Sequence, residues 1–232
     1  SLLYTISSFL LSFQLEIKPQ FGISHSSNLS FSIPFIINYN INDNLSIKHS
    51  NRIYNLNHPH LRYLHYTKSR KNTTAITEES YIKYSNKLIN FIIGRKYLDA
   101  NNKLITSDFS TSFDQIYFNY KKNNFNYNYY LIKLNDEILS NQNGSPNRYI
   151  SRWYYHRDLI ININKNTELT FSESVIATGE NRNIDFYYLT PFGLFLAEQY
   201  HNTRRQDGGT ESNLNNDNSI IGFSINHMLN QN

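Results

Sequence analysis

Stretches of about ten residues alternate strictly between apolar and polar side chains along most of this chain, and the connections between them run short, then long, then short again. Over residues 29–41, Leu29, Phe31, Ile33, Phe35, Ile37, Tyr39 and Ile41 fall on one face, with Ser30, Ser32, Asn38 and Asn40 on the other. A period of two is a strand signature, because successive side chains of a strand point to opposite faces. Short turns alternating with long loops put every tight turn at one end of a sheet. That is how an outer-membrane β-barrel is built.

Ten segments carry the pattern: 13–22, 29–41, 45–55, 78–85, 88–97, 114–121, 125–134, 149–163, 167–176 and 218–228. Short turns are expected near 42–44, 86–87, 122–124, 164–166 and 230–232, with long connections at 56–77, 98–113, 135–148 and 177–217. In 125–134, Phe125, Tyr127, Tyr129 and Leu131 read as outward, and Asn126 and Asn128 as inward. If the turn at 42–44 is periplasmic, strand 29–41 runs inward, and a periplasmic N-terminus then requires 13–22 to be a strand. Pro34 lacks a donor and marks an edge or a bulge. Arg157 and Glu173 fall on faces otherwise read as lipid-facing. Either bulges shift the register there or both lie above the hydrocarbon band. Since the cost of a charge falls toward the interface, the outer rim is favoured.

Composition is compatible with this. Only 39% of the 232 residues are hydrophobic and the mean hydropathy is −0.56, so no helical membrane span is implied. A barrel tolerates this because half of each strand can be polar. Aromatic residues make up 15%, which fits girdles at two membrane interfaces. A bias toward Asn, Ile, Lys, Tyr and Phe is also present, but bias cannot create alternation. There is no cysteine, hence no disulfide and no thiolate chemistry. The net charge of +4 is mild and the basic residues are scattered, which excludes a nucleic-acid footprint. Residues 1–12 read either as the apolar remnant of a secretory signal or as the start of a strand. The expectation is an all-β chain in which residues 13–232 form an antiparallel transmembrane β-barrel in the bacterial outer membrane. A soluble β-sandwich would instead place tight turns at both ends of its sheets.

Several elements occur in order: Glu79-Ser-Tyr-Ile-Lys-Tyr, Ile92-Ile-Gly-Arg95, Leu104-Ile-Thr-Ser-Asp108, Ser112-Phe-Asp114, Arg148-Tyr-Ile, His156-Arg157, Phe171-Ser-Glu173-Ser-Val-Ile, Pro191-Phe, Glu198-Gln and Asp217-Asn-Ser-Ile-Ile-Gly222. This order resembles the Wzi-like capsule assembly family of outer-membrane barrels over roughly residues 75–228. One departure stands after Gly94-Arg95, where the family often has Trp-Gly and this chain has Lys96-Tyr97. The resemblance implies a lectin-like role in holding capsular or exopolysaccharide at the cell surface, with outer-membrane lipid and other capsule export proteins as partners. It also implies about eighteen strands in the whole barrel. The ten strands here would then be its N-terminal part, an incomplete barrel with open edges at 13–22 and 218–228.

Sugar binding needs planar polar groups, aromatic faces and, for acidic polymers, Arg or Lys. Arg52, Arg95, Asp108, Asp114, Arg152, His156 and Glu173 are the candidates for polysaccharide binding or loop organisation. For each, the competing reading is a solvated lumen wall or a structural ion pair. Arg95 with Asp108 or Asp114 is the best candidate for a mutually paired set at the outer rim. His58, His60 and His65 crowd one segment without a Cys or carboxylate partner, so an exposed polar loop is favoured over a metal site. Glu78 and Glu79 are neighbours expected on opposite faces of a strand, which disqualifies them as an acid/base couple. No catalytic residue, metal or cofactor is expected, and the chain is not read as an enzyme. The leading function is an outer-membrane barrel that binds exported polysaccharide in capsule assembly or surface attachment. The alternatives are a general or substrate-selective porin and a soluble β-rich structural or adhesion module.

Overall fold

A computed structural model describes residues 13–23, 29–55, 73–98, 112–139, 148–180, 182–190, 193–197 and 216–228. Nearly all of these lie in strands: β1 (Phe13–Ile17), β2 (Gln20–Ile23), β3 (Leu29–Asn40), β4 (Leu45–Asn55), β5 (Thr73–Ser85), β6 (Ile89–Lys96), β7 (Phe113–Lys122), β8 (Phe125–Leu139), β9 (Arg148–Asn164), β10 (Thr167–Glu180) and β11 (Asn216–His227). Along hydrogen-bonded neighbours the order is β1-β3-β4-β5-β6-β7-β8-β9-β10-β11, with β2 also paired to β3. The chain is thus an all-β antiparallel meander. Its sheet is not closed, since β1 and β11 are its two ends. No helix among the described residues is long and apolar enough to cross a membrane, an observation that does not bear on strands.

The stretch expected at 13–22 is present but interrupted. Ile17 lies opposite Phe35 and Gln20 opposite Ser32, so β1 and β2 continue one another along β3 with a break at Lys18-Pro19. The break faces Pro34 by register, so the ladder lapses where two prolines withhold donors. On its other side Pro34 stays in register with Arg52.

Asparagine makes the tight turns. The Asn42 Oδ1 accepts the amides of Asn44 and Leu45, both at 2.9 Å. Asn86 does the same for Leu88 (2.9 Å) and Ile89 (2.8 Å), and Asn164 for Asn166 (2.9 Å). Asn123 takes φ +53°, a left-handed conformation that Asn tolerates better than other side chains.

The chain divides into two compact units, Ser1–Ser85 with Ile92–Asp114 and Asn86–Phe91 with Gln115–Asn232. In the first, cross-strand register puts Leu15, Ile17, Phe35, Ile47, Ile53, Ile82 and Tyr84 on one face, where all are exposed. The opposite face carries Ser32, Lys48, Ser50, Arg52, Tyr54, Thr74 and Glu78, and of these Ser32, Ser50, Tyr54, Thr74 and Glu78 are buried. This inverts the ordinary distribution of apolar and polar surface.

In the second unit the face of Asn128, His156, Asp158, Ser172 and Ser174, all buried, also buries Tyr130, Ile132, Tyr154 and Ile160. Its other face holds exposed Phe125, Ile161, Phe223 and Ile225 at one end. Toward the other end, Tyr129, Leu131, Tyr155, Val175 and Ala177 form an apolar core with Tyr188 and Phe195. The last two belong to residues 182–190 and 193–197, which cross this face as a strap and include a 3-10 turn at Phe186–Leu189.

Several expected boundaries move. β10 runs past 176 to Glu180 and β11 begins at Asn216 with no bulge there, and two others move across a β-bulge. The strand expected from 78 begins at Thr73, and the register of β4 with β5 shifts between Ser50 and Asn51, leaving Glu78 as the extra residue. The strand expected to end at 134 runs to Leu139, past a shift between Leu134 and Glu137. A bulge breaks the period of two, so alternation reports the end of a strand that continues.

Candidate functional site

The bulge at Glu78 builds the polar row of the first unit. An inserted residue lets Glu78 and Glu79 both reach the face of Lys48, Arg52 and Tyr54, contrary to the expectation that they diverge. Glu78 accepts the Tyr54 hydroxyl at 2.9 Å and ion-pairs with Arg52 at 2.7 Å, while Glu79 pairs with Lys48. Burial first, then the Glu78 carboxylate, pushes the phenol of Tyr97 up to about 12. Each cation of this row carries its own carboxylate. The row is therefore a nearly neutral hydrogen-bonding wall, suited to hydroxyls more than to polyanions.

At the end of β6, Gly94 adopts φ +128°, and a Cβ there would stand 2.2 Å from the Ser80 carbonyl oxygen. Only glycine permits this approach of β6 to β5. The residue that follows, Arg95, donates to both carboxylate oxygens of Asp114 at 2.8 and 3.0 Å. Such a bidentate fork fixes orientation as well as charge. It ties the end of β6 to the start of β7, across the connection that contains Asp108. Asp108 lies outside the described residues, as do His58, His60 and His65. Among the described residues no three His, Asp or Glu side chains are grouped so as to hold a metal ion.

On the apolar face of the first unit, a cavity of about 310 Å³ lies among Phe35, Ile37, Ile53 and Ala75, with His49, Asn51 and Thr77 in its lining. These polar groups serve one another. Thr77 donates to Asn51 at 2.9 Å, Asn51 donates to the His49 Nε2 at 2.8 Å, and the His49 Nδ1 meets the Ser80 hydroxyl at 3.1 Å.

In the second unit, His156 is the centre of the buried polar row. Its Nδ1 lies 2.7 Å from the Ser174 Oγ and its Nε2 3.0 Å from an Asp158 carboxylate oxygen. The Ser172 hydroxyl donates to Asp158 at 2.6 Å, and the Tyr154 ring stacks on the imidazole at 5.8 Å. The sequence of hydroxyl, imidazole and carboxylate is that of an acyl-transfer relay. Ser174 is only 2% exposed and its Oγ is shared with the Tyr154 hydroxyl, so no substrate carbon reaches it. The row is a buried polar layer, in which the Asn128 Nδ2 has no hydrogen-bond partner among the described residues.

Arg152 donates to the Asn135 carbonyl at 2.9 Å and so holds the bulged end of β8. Glu173 is fully buried on the opposite face from His156, beneath the strap, where it pairs with Arg157 and accepts the Leu196 amide at 3.1 Å. Arg157 and Glu173 are thus buried rather than at an exposed rim, and the β9–β10 register runs through both without a bulge. Of the candidates that lie among the described residues, only Arg95 and Asp114 are brought together.

The strap is fastened by groups that sequence reasoning did not select. Arg182 donates to Asp185 at 2.8 Å, to Asp217 at 2.9 Å and to the Thr178 carbonyl at 3.1 Å. Burial lowers the Arg182 pKa, but Asp217 and Asp185 outweigh it and raise it overall. The Tyr188 hydroxyl donates to Asp217 at 2.7 Å, and burial together with that carboxylate pushes the phenol far up. No family model, curated protein or solved structure matches the chain.

Proposed function

We propose that the chain is part of an outer-membrane β-barrel that binds exported polysaccharide and takes part in capsule assembly or surface attachment. One observation carries the barrel reading. In the first unit, antiparallel strands expose Leu15, Ile17, Phe35, Ile47, Ile53, Ile82 and Tyr84 on one face and bury Ser32, Ser50, Tyr54, Thr74 and Glu78 on the other. Water as the outer solvent would reverse that distribution, whereas a bilayer favours it. Edges are not tolerated in hydrocarbon, so the proposal includes further strands that pair β1 and β11. The polysaccharide reading rests on the ordered motifs that resemble those of the Wzi-like family and on the neutralised, hydroxyl-rich character of the inner rows. Lys48–Glu79 and Arg52–Glu78 supply donors and acceptors without a net field.

The test uses the full-length protein in its own cell envelope. The expected result is recovery with the outer membrane, heat-modifiable migration on gels, and retention of purified capsular polysaccharide by detergent-solubilised protein. Recovery in the soluble periplasmic fraction would overturn the barrel. Large steady currents in planar bilayers, with no polysaccharide retained, would replace the lectin reading with a porin.

A further inference from the structure

We infer that the strap is a membrane-interface element, with Phe186, Leu194 and Leu196 seated in the lipid of the outer leaflet at the upper edge of the hydrocarbon band. The inference rests on the barrel reading above and adds the depth of one segment.

Arg157 and Glu173 each stand seven residues along their strands from the tight turn bounded by Asn164 and Asn166. At a rise of about 3.3 Å per residue and a strand tilt of about 40°, that is about 18 Å above the turn. Trp153 and Ala177, eleven residues from the same ends, stand about 28 Å above it on the same geometry. The outward apolar band of such barrels is about 25 Å tall. The strap covers this interval. It touches Trp153 through the Arg182 carbonyl, Tyr155 through the Asp185 amide, and Arg157 through the carbonyls of Thr190 and Gly193.

Many of the strap's polar groups bond to the sheet or to one another, while Asn183 and Thr190 are exposed. The strap's large exposed side chains are apolar: Phe186 is 79% exposed, Leu194 56% and Leu196 40%. Below it on the same sheet face, Ile161, Phe223 and Ile225 are exposed as well. The apolar surface is thus continuous from the sheet onto the strap. An aqueous surface gives no reason to display three large apolar side chains over an ion pair that is itself sealed from solvent. A lipid surface gives one, because the strap keeps Arg157 and Glu173 out of hydrocarbon while presenting apolar groups in their stead.

The chain has no cysteine, and any cysteine in the remaining strands is first replaced by serine, so that single labels report single positions. Nitroxides are placed one at a time at Phe186→Cys and Leu194→Cys on the strap, Phe223→Cys on the sheet face and Asn183→Cys as an aqueous reference. The full-length protein is reconstituted in phosphatidylethanolamine/phosphatidylglycerol vesicles. Power saturation then compares collision with oxygen and with a nickel chelate. The expected result is that Phe186 and Leu194 labels, like Phe223, favour oxygen several-fold more than Asn183 does. A Phe223 label in lipid with strap labels in water overturns the strap assignment alone. Strap labels shielded from both reagents also overturn it, since protein then covers them. A Phe223 label in water overturns the barrel reading with it.

Discussion

Arg157 on β9 stands directly opposite Glu173 on β10, and the two form an ion pair closed over by backbone from a different part of the chain. The Arg157 Nε donates to Glu173 at 3.0 Å, and further guanidinium bonds run to the carbonyls of Thr190 and Gly193. The guanidinium also lies 4.3 Å from the Phe195 ring centroid. The pair thereby joins two strands to the strap. A buried ion pair is weak evidence for net stability, but removing one partner leaves a charge with no compensation.

Arg157→Met and Glu173→Leu should therefore each destabilise strongly, by about 3–5 kcal/mol, while the double variant recovers most of the loss. Denaturant titration of the lipid-reconstituted protein reads this, with the coupling taken from the double-mutant cycle. Additive losses would show that the two side chains act independently.

Nearly all of the strands were legible from alternation, because a period of two survives wherever the ladder is regular. It failed where a bulge intervened. Glu78 is an inserted residue, so the rule that neighbours diverge misplaced it, and the strand seemed to begin there when it begins at Thr73. The Arg95–Asp114 fork was accessible because both residues flank one connection. The strap partners of the Arg157–Glu173 pair were not. Thr190, Gly193 and Leu196 belong to a connecting segment, and nothing in its local pattern says that it returns to the sheet. His156 was selected singly, although Asp158 two residues on and the Ser172, Ser174 pair shared its face by the same alternation that found the strands.

Gly94→Ala introduces a methyl group 2.2 Å from a backbone oxygen of β5 at a φ of +128°. The neighbour is main chain and cannot rotate away, so β6 must shift. The expected cost is at least about 2 kcal/mol, at the upper end for a single backbone effect. A lowered unfolding midpoint and faster proteolysis check it. A wild-type midpoint would show that β6 relaxes at no cost.

Asn123 occupies the left-handed region at φ +53°. Asn123→Gly should be tolerated, within a few tenths of a kcal/mol, while Asn123→Val should cost about 1–2 kcal/mol, since a β-branched side chain collides with the following carbonyl there. Comparing both variants in one melting series separates backbone strain from loss of the amide. Equal destabilisation would assign the effect to the side chain instead.

Trp153 is the chain's only tryptophan, and its indole Nε1 donates to the Arg182 carbonyl at 3.0 Å, so its emission reports whether the strap is seated. Asp217 fastens the strap by accepting from both Arg182 and Tyr188. Asp217→Ala should weaken the attachment by about 1.5–3 kcal/mol, the range for hydrogen bonds to a charged group. The readout is a red shift of the tryptophan emission and greater quenching by acrylamide. Alkali should act through the same joint. Burial and Asp217 raise the Tyr188 phenol above its ordinary value of 10.0. A group whose folded-state pKa is raised contributes stability that is complete below its unfolded value and is lost as pH climbs through the folded one. Docking should therefore be constant below pH about 10 and weaken above it. Tyr188→Phe removes the ionisable group, so its emission should hold to higher pH than wild type. If both shift in parallel, other tyrosines control the transition, and Tyr188 does not couple the strap to alkaline pH.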